Sequence, residues 1–253
     1  MNIVEGIQKL TEKKNLTQGE VRDIINQIMR GEATSCQKGG FLTALKLKGE
    51  TAEEMLGAVQ ALRDNFTRVE IANPKNLIDT CGTCLLYTSP SPFNVSTAVA
   101  IIAASGGAKI AKHGNRAVSS KSGSADVLGE LNIKTDYSAE ESADIIMNKG
   151  MAFLFAPQYN PAMKNVAEER KELGCRTLFN LIGPLSNPAP LTGQLMGIYD
   201  GSLIESVGQV LKNLGLNRAM VVHGDDGLDE ITTTTTTTVC ELNNGVINKY
   251  TLD

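Results

Sequence analysis

After Asn73-Pro74, short apolar runs alternate with helical stretches, and this alternation constrains the fold more than any other feature of the sequence. The runs have strand length and β-prone residues, whereas the stretches between them carry helix caps or apolar residues at helical spacing. Parallel neighbouring strands need a crossover between them, so the pattern predicts a mainly parallel sheet covered by helices. The predicted strands span residues 76–80, 108–112, 151–156, 194–199 and 218–223.

The first seventy residues predict helices only. Thr17-Gln18-Gly19-Glu20 and Thr51-Ala52-Glu53-Glu54 are capping boxes, and each is followed by apolar residues at helical spacing. These helices present apolar faces on more than one side. We therefore expect them to pack against the rest of the chain or against a second subunit.

The predicted fold class is α/β, with a small helical N-terminal domain and a mainly parallel-sheet α/β domain. We expect the helical domain to span residues 1–72, with part of 160–190 packing on it, and the α/β domain to span 73–253. The turn sequence Asn243-Asn244-Gly245 predicts a hairpin near the end of the chain. No closing helix follows that hairpin, so we expect the α/β domain to be incomplete at its C-terminus.

Composition excludes several classes of partner. The net charge is −4 and the pI about 5.4, which predicts neither nucleic acid nor an anionic membrane as the main partner. No apolar run approaches the roughly 20 residues that span a bilayer, and the N-terminus has no signal-peptide pattern, so we expect a cytoplasmic protein. Cys81 and Cys84 form one CxxC pair, but buried small apolar residues are a better interpretation of the scattered cysteines than a zinc or redox site.

Three segments rich in small, polar and basic residues follow predicted strands. They are residues 79–83, joined by 93–97 at a helix start, then 112–116, and then 119–124. Hydroxyls, backbone N–H groups and lysines near helix N-termini suit a phosphate-rich ligand. Capped helices and solvated turns would explain any one segment equally well, but three after successive strands favour a phosphate site.

The same segments carry a resemblance to a known family. Residues 112–116 (KHGNR) with 119–126 (SSKSGSAD), residues 176–185 (RTLFNLIGPL) preceded by Arg170, and residues 227–230 (GLDE) resemble the motifs of anthranilate phosphoribosyltransferases. The match runs from the N-terminal helices to the last residue, in the family's order and spacing. The resemblance implies a nucleoside phosphorylase/phosphoribosyltransferase-like fold with a helical domain that dimerises.

The reaction that the resemblance implies belongs to tryptophan biosynthesis. The phosphoribosyl group passes from phosphoribosyl pyrophosphate (PRPP) to the amine of anthranilate, giving N-(5-phosphoribosyl)anthranilate and pyrophosphate. Mg²⁺ and Lys112 would stabilise the leaving pyrophosphate, and Arg170 would pair with the anthranilate carboxylate. The amine is already a neutral nucleophile, so no residue is assigned as a covalent or acid–base catalyst.

The resemblance assigns site residues by position in its motifs. The PRPP positions are Gly82, Thr83, Asn94, Ser96, Thr97, Lys112 and Ser124. The anthranilate positions are Gly82, His113, Asn115 and Arg170, and the magnesium positions are Ser96, Asp229 and Glu230.

Each assignment has a simpler alternative. Asp229 and Glu230 could be solvated turn residues, Arg170 lies in a charge run typical of a surface helix, and His113 could be a structural loop histidine. His223 is better explained as a strand-end residue than as a catalyst. Two alternative functions also remain: a pyrimidine nucleoside phosphorylase-like enzyme, and a catalytically silent binding protein of the same fold.

The chain departs from the family pattern in two places. Residues 84–92 read CLLYTSPSP where the family carries a glycine-rich turn with an aspartate, and the flanks resume the pattern on both sides. Residues 232–238 are seven consecutive threonines, two of which replace an expected Gly-Pro. Both segments could be sequence artefacts, the first of them alternatively a foreign insert. The family also continues past Asp253.

The unusual segment predicts weak binding of PRPP. Bulky Leu85, Leu86 and Tyr87 would obstruct the approach of a pyrophosphate to the backbone, and Pro90 and Pro92 lack backbone donors. Replacing residues 84–92 with a glycine-rich, aspartate-containing turn should strengthen binding by a few kcal/mol, since each charge-assisted hydrogen bond contributes roughly 1.5–3 kcal/mol. Calorimetric titration of PRPP with Mg²⁺ into both versions measures the difference. Equal affinities would show that the segment does not limit binding.

Overall fold

The computed structural model describes residues 1–83, 94–116 and 123–253. The chain forms two compact units, one from residues 1–66 and 160–186 and the other from residues 67–159 and 187–253. The helices are α1 (Ile3–Thr11), α2 (Gln18–Met29), α3 (Ser35–Lys48), α4 (Ala52–Asp64), α5 (Val95–Ser105), α6 (Ser124–Glu130), α7 (Ala139–Lys149), α8 (Ala156–Tyr159), α9 (Ala167–Leu173), α10 (Leu178–Leu185) and α11 (Ile204–Asn213). The strands are β1 (Leu77–Gly82), β2 (Lys109–Gly114), β3 (Met151–Phe155), β4 (Gly193–Gly197), β5 (Arg218–Gly224), β6 (Thr237–Asn243) and β7 (Val246–Leu252).

The helical unit contains α1 to α4, α9 and α10, together with a 3₁₀ segment at Pro161–Val166. The predicted capping boxes begin α2 and α4, where Thr17 and Thr51 each accept a hydrogen bond from the backbone three residues later. A third box at Thr34 begins α3, which the apolar pattern alone did not delimit. Gly39 and Gly40 inside α3 weaken the helical pattern, because glycine disfavours helix interiors by about 1 kcal/mol.

In the helical unit α2 packs against α4, and α1 packs against α3. A Cβ at Gly57 of α4 would lie 2.2 Å from the carbonyl oxygen of Gln18, so only glycine permits this close approach of α4 to the start of α2. The contacts bury the apolar stripes that the sequence places at helical spacing. The buried core side chains include Val21, Ile24, Ile25, Ile28, Phe41, Leu42, Leu45, Met55, Val59 and Leu62.

The second unit is built on one seven-stranded sheet in the order β3-β2-β1-β4-β5-β6-β7. Strands β1 to β5 pair in parallel, and β6 and β7 add on as an antiparallel hairpin. This confirms the predicted α/β class with a mainly parallel sheet. The hairpin turns at Asn244 and Gly245, which both have positive φ (48° and 83°), as a two-residue turn of this kind requires.

The strands extend beyond some of the predicted apolar runs. β1 ends at Gly82 and β2 at Gly114, two residues later than the apolar runs, because backbone pairing continues to Gly197 and Phe155 where the side chains are no longer apolar. The chain enters the second unit at Thr67, earlier than the predicted boundary after residue 72. Val69 and Ile71 cause this difference, because both are buried with Leu77 and Leu154 in the core of the second unit.

Two apolar clusters pack against the part of the sheet formed by β1, β2 and β3. One contains Leu77, Ala111 and Leu154 with Ile146 of α7, and the other contains Phe153 with Ala125 and Leu128 of α6. Within the three described ranges, no helix has both the length and the apolar character needed to cross a bilayer.

The buried carboxylate of Glu54 should dominate the stability of the helical unit. It accepts hydrogen bonds from Lys48 Nζ, from the Leu16 backbone and from the Thr51 backbone, each at 2.8 Å, and its side chain is fully buried. Glu54→Ala leaves the Lys48 ammonium with its hydrogen bonds to Asn15 and Gly49 but without its buried counter-charge, so we expect a loss of about 3–5 kcal/mol in the free energy of unfolding. Glu53→Ala, at an exposed position in the same turn, should cost less than about 1 kcal/mol.

Urea denaturation followed by circular dichroism measures both variants. Equal effects of Glu54→Ala and Glu53→Ala would contradict a stabilising role for the buried carboxylate.

Candidate active site

Four parallel strands end in glycine at one edge of the sheet. β1, β4 and β5 are neighbours, β2 flanks β1, and their last residues are Gly82, Gly197, Gly224 and Gly114. Because the strands are parallel, these four ends lie at the same carboxyl edge. Ligands of open parallel sheets bind at this edge, which makes it the candidate site.

The loop between β5 and β6 folds back over this edge and carries Asp229. A Cβ at Gly82 would lie 2.7 Å from Asp229 Oδ2, and one at Gly197 would lie 1.6 Å from the Asp229 carbonyl oxygen. Only glycines permit such close contact, so Asp229 packs directly on the backbone at the ends of β1 and β4. Asp229 is 6% exposed.

Lys112 of β2 points toward the same edge and is 1% exposed. Its ammonium donates to the Thr80 carbonyl at 2.7 Å and to Ser96 Oγ at 3.1 Å. Thr80 Oγ1 in turn donates to the Ser96 carbonyl at 2.8 Å, which fixes the first turn of α5 against β1. Burial lowers the pKa of Lys112, and the charge of Asp79 opposes that effect.

Asp79 forms a buried polar cluster with Asn187 beneath the site. The Asp79 carboxylate accepts hydrogen bonds from the His113 backbone at 3.3 Å and from Asn187 Nδ2 at 2.9 Å. Asn187 also donates to the Ala111 carbonyl at 2.8 Å, so the cluster holds β1 and β2 together. Burial raises the pKa of Asp79 to about 6, although Lys112 and the hydrogen bonds act in the opposite direction.

The sequence placed Asp79 in a segment predicted to bind phosphate, and it predicted neither a role for Asn187 nor the pairing of the two residues. A signal was present, since Asp79 is a charged residue inside an otherwise β-prone strand, and such a residue needs buried partners. The partner Asn187 lies 108 residues away in the sequence, so no local pattern identifies it.

Glu230, next to Asp229, has a pKa above its ordinary value. Burial raises its pKa to about 7, repulsion from Asp229 acts in the same direction, and Lys112 opposes both. Within the described residues, no group of three or more His, Cys, Asp or Glu side chains is arranged to hold a metal ion. The donors at this edge are instead two carboxylates and the Ser96 hydroxyl, and hard oxygen donors of this kind fit a Mg²⁺ ion that keeps several waters.

The start of α5 contributes two more of the predicted residues. Asn94 is the N-cap of α5 and its carbonyl accepts from the Thr97 backbone at 3.1 Å. The Thr97 hydroxyl is buried and has no hydrogen-bond partner among the described residues. Thr83 lies across the edge, where its backbone donates to the Gly197 carbonyl at 3.0 Å and its hydroxyl accepts from the Tyr199 backbone at 2.9 Å.

His113, Asn115 and Ser124 lie at the end of β2 and the start of α6. The Ala125 backbone donates to the Asn115 carbonyl at 3.2 Å, and a Cβ at Gly114 would lie 3.3 Å from Ser124 Cβ. These three predicted residues are therefore neighbours at the carboxyl edge.

Arg170 belongs to the helical unit, where it lies on α9. Its guanidinium lies 5.6 Å from the centre of the Phe179 ring, a cation–π distance, and burial lowers its pKa. Arg170 is thus partly buried against Phe179, within a helix whose neighbouring charged residues Glu168 and Lys171 are exposed.

The structure also bears on His223 and on the cysteine pair Cys81 and Cys84. His223 Nδ1 forms a hydrogen bond of 2.8 Å with the Ile198 carbonyl, in keeping with a strand-end role. Cys81 is buried and accepts from Gln194 Nε2 at 3.1 Å, while Cys84, the other cysteine of the pair, lies outside the described residues. Residues 84–92 and most of the 119–124 segment also lie outside them.

The geometry of the edge therefore combines one buried ammonium, two carboxylates, several hydroxyls and a helix N-terminus. The ammonium and the helix start suit phosphate oxygens, and the carboxylates suit a divalent cation bound with those phosphates. The arrangement favours binding and charge stabilisation of a polyphosphate.

Comparisons with known proteins agree with this geometry. A model of the glycosyl transferase family, a/b domain, matches residues 74–253, and one of the glycosyl transferase family, helical bundle domain, matches residues 4–66. Anthranilate phosphoribosyltransferase from Clostridium beijerinckii is 64% identical over 253 residues, which are 100% of this chain and 74% of the relative. The enzyme of that name from a Thermoanaerobacter species is 53% identical over 98% of this chain and 73% of the relative.

Solved structures give the same result. The crystal structure of anthranilate phosphoribosyltransferase from Thermus thermophilus matches with a TM-score of 0.89 and 35% identity, over 98% of this chain and 72% of that chain. The Saccharomyces cerevisiae enzyme in complex with PRPP and Mg matches with a TM-score of 0.88 and 26% identity, over 99% and 72%.

The raised pKa of Asp79 predicts a distinct pH dependence of stability. Its pKa is about 6 in the folded chain against an ordinary 3.8, so the folded chain binds the proton more tightly than the unfolded chain does. The stabilisation from this protonation is fully present below pH 3.8 and is lost as pH rises through 6. Relative to Asp79→Asn, the wild-type chain should gain on the order of 2–3 kcal/mol as pH falls from 7 to 4.

Urea denaturation of both proteins at several pH values measures this difference, with Asp144→Asn on the exposed side of α7 as a matched control. A stability difference between wild type and Asp79→Asn that stays constant over this range would contradict a buried, proton-binding Asp79.

Proposed function

The chain belongs to the anthranilate phosphoribosyltransferase family, and we propose that it transfers the phosphoribosyl group of PRPP to the amine of anthranilate. The products are N-(5-phosphoribosyl)anthranilate and pyrophosphate, in the biosynthesis of tryptophan. The observation that carries the proposal is the presence of Lys112, Ser96, Asp229 and Glu230 at one sheet edge. The 64% identity with a relative named anthranilate phosphoribosyltransferase supports the choice of anthranilate as the acceptor of the phosphoribosyl group.

The pyrophosphate end of the donor would lie at the start of α5. Backbone N–H groups at a helix N-terminus favour anions, and the buried Thr97 hydroxyl is a further donor there. Lys112 would contribute a positive charge as the bond between ribose C1 and the pyrophosphate oxygen breaks. The remaining proposed PRPP contacts are Gly82, Thr83, Asn94, Ser96 and Ser124.

Asp229, Glu230 and Ser96 would hold Mg²⁺. When bound, the cation neutralises charge on the leaving pyrophosphate. The pKa of Glu230 is raised to about 7 by burial and by repulsion from the adjacent Asp229, and a divalent cation would relieve that repulsion.

Anthranilate would contact Gly82, His113, Asn115 and Arg170. The planar guanidinium of Arg170 can donate two parallel hydrogen bonds to the anthranilate carboxylate. Stacking on Phe179 limits the conformations of Arg170 before the substrate binds, which reduces the entropic cost of that pairing. The aromatic amine needs no activation by a base, because it carries a free electron pair at neutral pH.

We propose a homodimer formed through the N-terminal helices. Leu47 of α3 is 82% exposed and Val4 of α1 is 45% exposed, so apolar side chains remain uncovered on the helical unit. A cytoplasmic location fits a biosynthetic enzyme of this kind, and the net charge of −4 supports neither a nucleic acid nor an anionic membrane as partner.

The comparisons do not favour a pyrimidine nucleoside phosphorylase, since relatives that carry the transferase name match at 64% and 53% identity. A catalytically silent binding protein of the same fold is distinguished by the activity assay below.

The proposed function predicts consumption of anthranilate that requires both PRPP and Mg²⁺. Asp229→Asn/Glu230→Gln should lower the affinity for PRPP at saturating Mg²⁺ at least about tenfold, because the carboxylates that hold the cation are lost. Calorimetry measures the affinity and anthranilate fluorescence the turnover, both for the chain as it stands and with residues 84–92 replaced.

Asp144→Asn on α7 is the charge-matched control and should leave both quantities unchanged. Binding of PRPP without turnover in either version would favour the silent binding protein. Unchanged Mg²⁺ dependence in the double variant would exclude Asp229 and Glu230 as the metal site.

A further inference from the structure

The loop that carries Asp229 and Glu230 also contains Asp225, Asp226 and the first five of the seven consecutive threonines, and the last two threonines begin β6. The Asp226 carboxylate accepts hydrogen bonds from Thr232 Oγ1 at 2.6 Å and from Thr234 Oγ1 at 2.5 Å. The Asp225 carboxylate accepts from Thr236 and, at 3.2 Å, from Thr238. We call these six residues the threonine ladder.

The ladder uses alternate threonines, and the chain bends at residues 233–235 before it enters β6. Thr232, Thr234, Thr236 and Thr238 face the two carboxylates, and the hydrogen bonds of the described residues include none from Thr233 or Thr235 to either one. Four of the seven chemically identical threonines therefore donate to an aspartate, and Thr233 and Thr235 do not.

Backbone contacts join the same two segments. The Asp225 backbone donates to the Thr236 carbonyl at 3.0 Å, and the Thr232 backbone donates to the buried Thr237 hydroxyl at 3.1 Å. A Cβ at Gly224 would lie 2.6 Å from Asp226 Oδ1 and 3.2 Å from Thr232 Cγ2. Glycine at the end of β5 therefore allows the ladder to close.

The bond between Asp226 and Thr232 closes a short excursion of five residues, 227–231, which contains both acidic residues of the site. Within residues 227–231, Asp229 contacts the ends of β1 and β4. The bond between Asp226 and Thr232 joins the two residues that flank this segment. Without the ladder, this segment would keep the contacts of Leu228 with Gly224 and Asp226 but would have fewer contacts in total, so cation binding would carry a larger entropic cost.

We propose that the threonine ladder positions Asp229 and Glu230 for cation binding, so that the hydroxyls of Thr232 and Thr234 set the affinity of the site for divalent metal. This inference rests on the proposed role of Asp229 and Glu230 as metal ligands. Thr232, Thr234 and Asp226 are positioning residues, since they act through the loop and not on the substrate.

The chain supplies its own matched control, because valine has the shape of threonine without the hydroxyl. Thr232→Val/Thr234→Val removes the two hydrogen bonds to Asp226 and the one that Thr232 Oγ1 accepts from the Thr234 backbone. Thr233→Val/Thr235→Val removes the same number of hydroxyls from exposed positions outside the ladder. Mn²⁺ alone serves as the probe, and its binding to the full chain of 253 residues is followed by electron paramagnetic resonance.

We expect Mn²⁺ affinity to fall about fivefold in Thr232→Val/Thr234→Val and to stay unchanged in Thr233→Val/Thr235→Val. Asp226→Ala should weaken binding at least as much, and adding the two ladder valines to it should weaken binding no further, since the threonines act through that carboxylate. Hydrogen exchange of the amides at 225–231 should be faster in the ladder variant only.

Equal Mn²⁺ affinities of the two valine variants would overturn the inference, as would equal hydrogen exchange. Additive effects of Asp226→Ala and the ladder valines would also overturn it. Asp229→Asn/Glu230→Gln separates this failure from that of the proposed function. If the acidic variant binds Mn²⁺ as wild type does, the metal assignment and the ladder inference fall together. If it loses Mn²⁺ while the ladder valines have no effect, only the ladder inference falls.

Discussion

The rest of the site depends on the burial of two opposite charges, those of Asp79 and Lys112, on neighbouring strands of the sheet. Each charge would be costly alone in this environment, and each shifts the pKa of the other toward its ordinary value. Hydrogen bonds from His113 and Asn187 satisfy the carboxylate, and those to Thr80 and Ser96 satisfy the ammonium. As a result, β1, β2 and the first turn of α5 are held in one arrangement before any ligand binds, which is the condition for electrostatic stabilisation of a leaving group.

Close backbone packing is the second condition for the site. Gly82 and Gly197 leave no side chain between the strand ends and Asp229, so an acidic residue from a distant loop reaches the carboxyl edge of the sheet. Gly82 and Gly197 are therefore needed for close contact with the loop that carries Asp229, and not for a turn of the chain. They also explain how a loop after β5 contributes to a site formed mainly by β1, β2 and α5.

Much of this arrangement could be predicted from the sequence. The alternation of elements predicted the parallel sheet, and the Thr17 and Thr51 capping boxes predicted the starts of α2 and α4, because these signals are local. The early domain boundary and the pairing of Asp79 with Asn187 were not predicted, since both depend on packing between residues far apart in the chain. The structural role of the threonine run was not predicted either, because a run of identical residues does not show which of its hydroxyls bond to Asp225 and Asp226.

The discontinuity of the helical unit has a consequence for synthesis of the chain. Helices α1 to α4 are complete by residue 64, but α9 and α10, which pack in the same unit, end only at residues 173 and 185. Lys38 forms its buried ion pair with Glu169, which is synthesised 131 residues later. At roughly 5–20 residues per second on the ribosome, the first helices spend about 6–24 s without their last two partners. During that interval their uncovered apolar faces are exposed to other nascent chains, and the order of translation becomes a constraint on folding yield that the finished fold does not reveal.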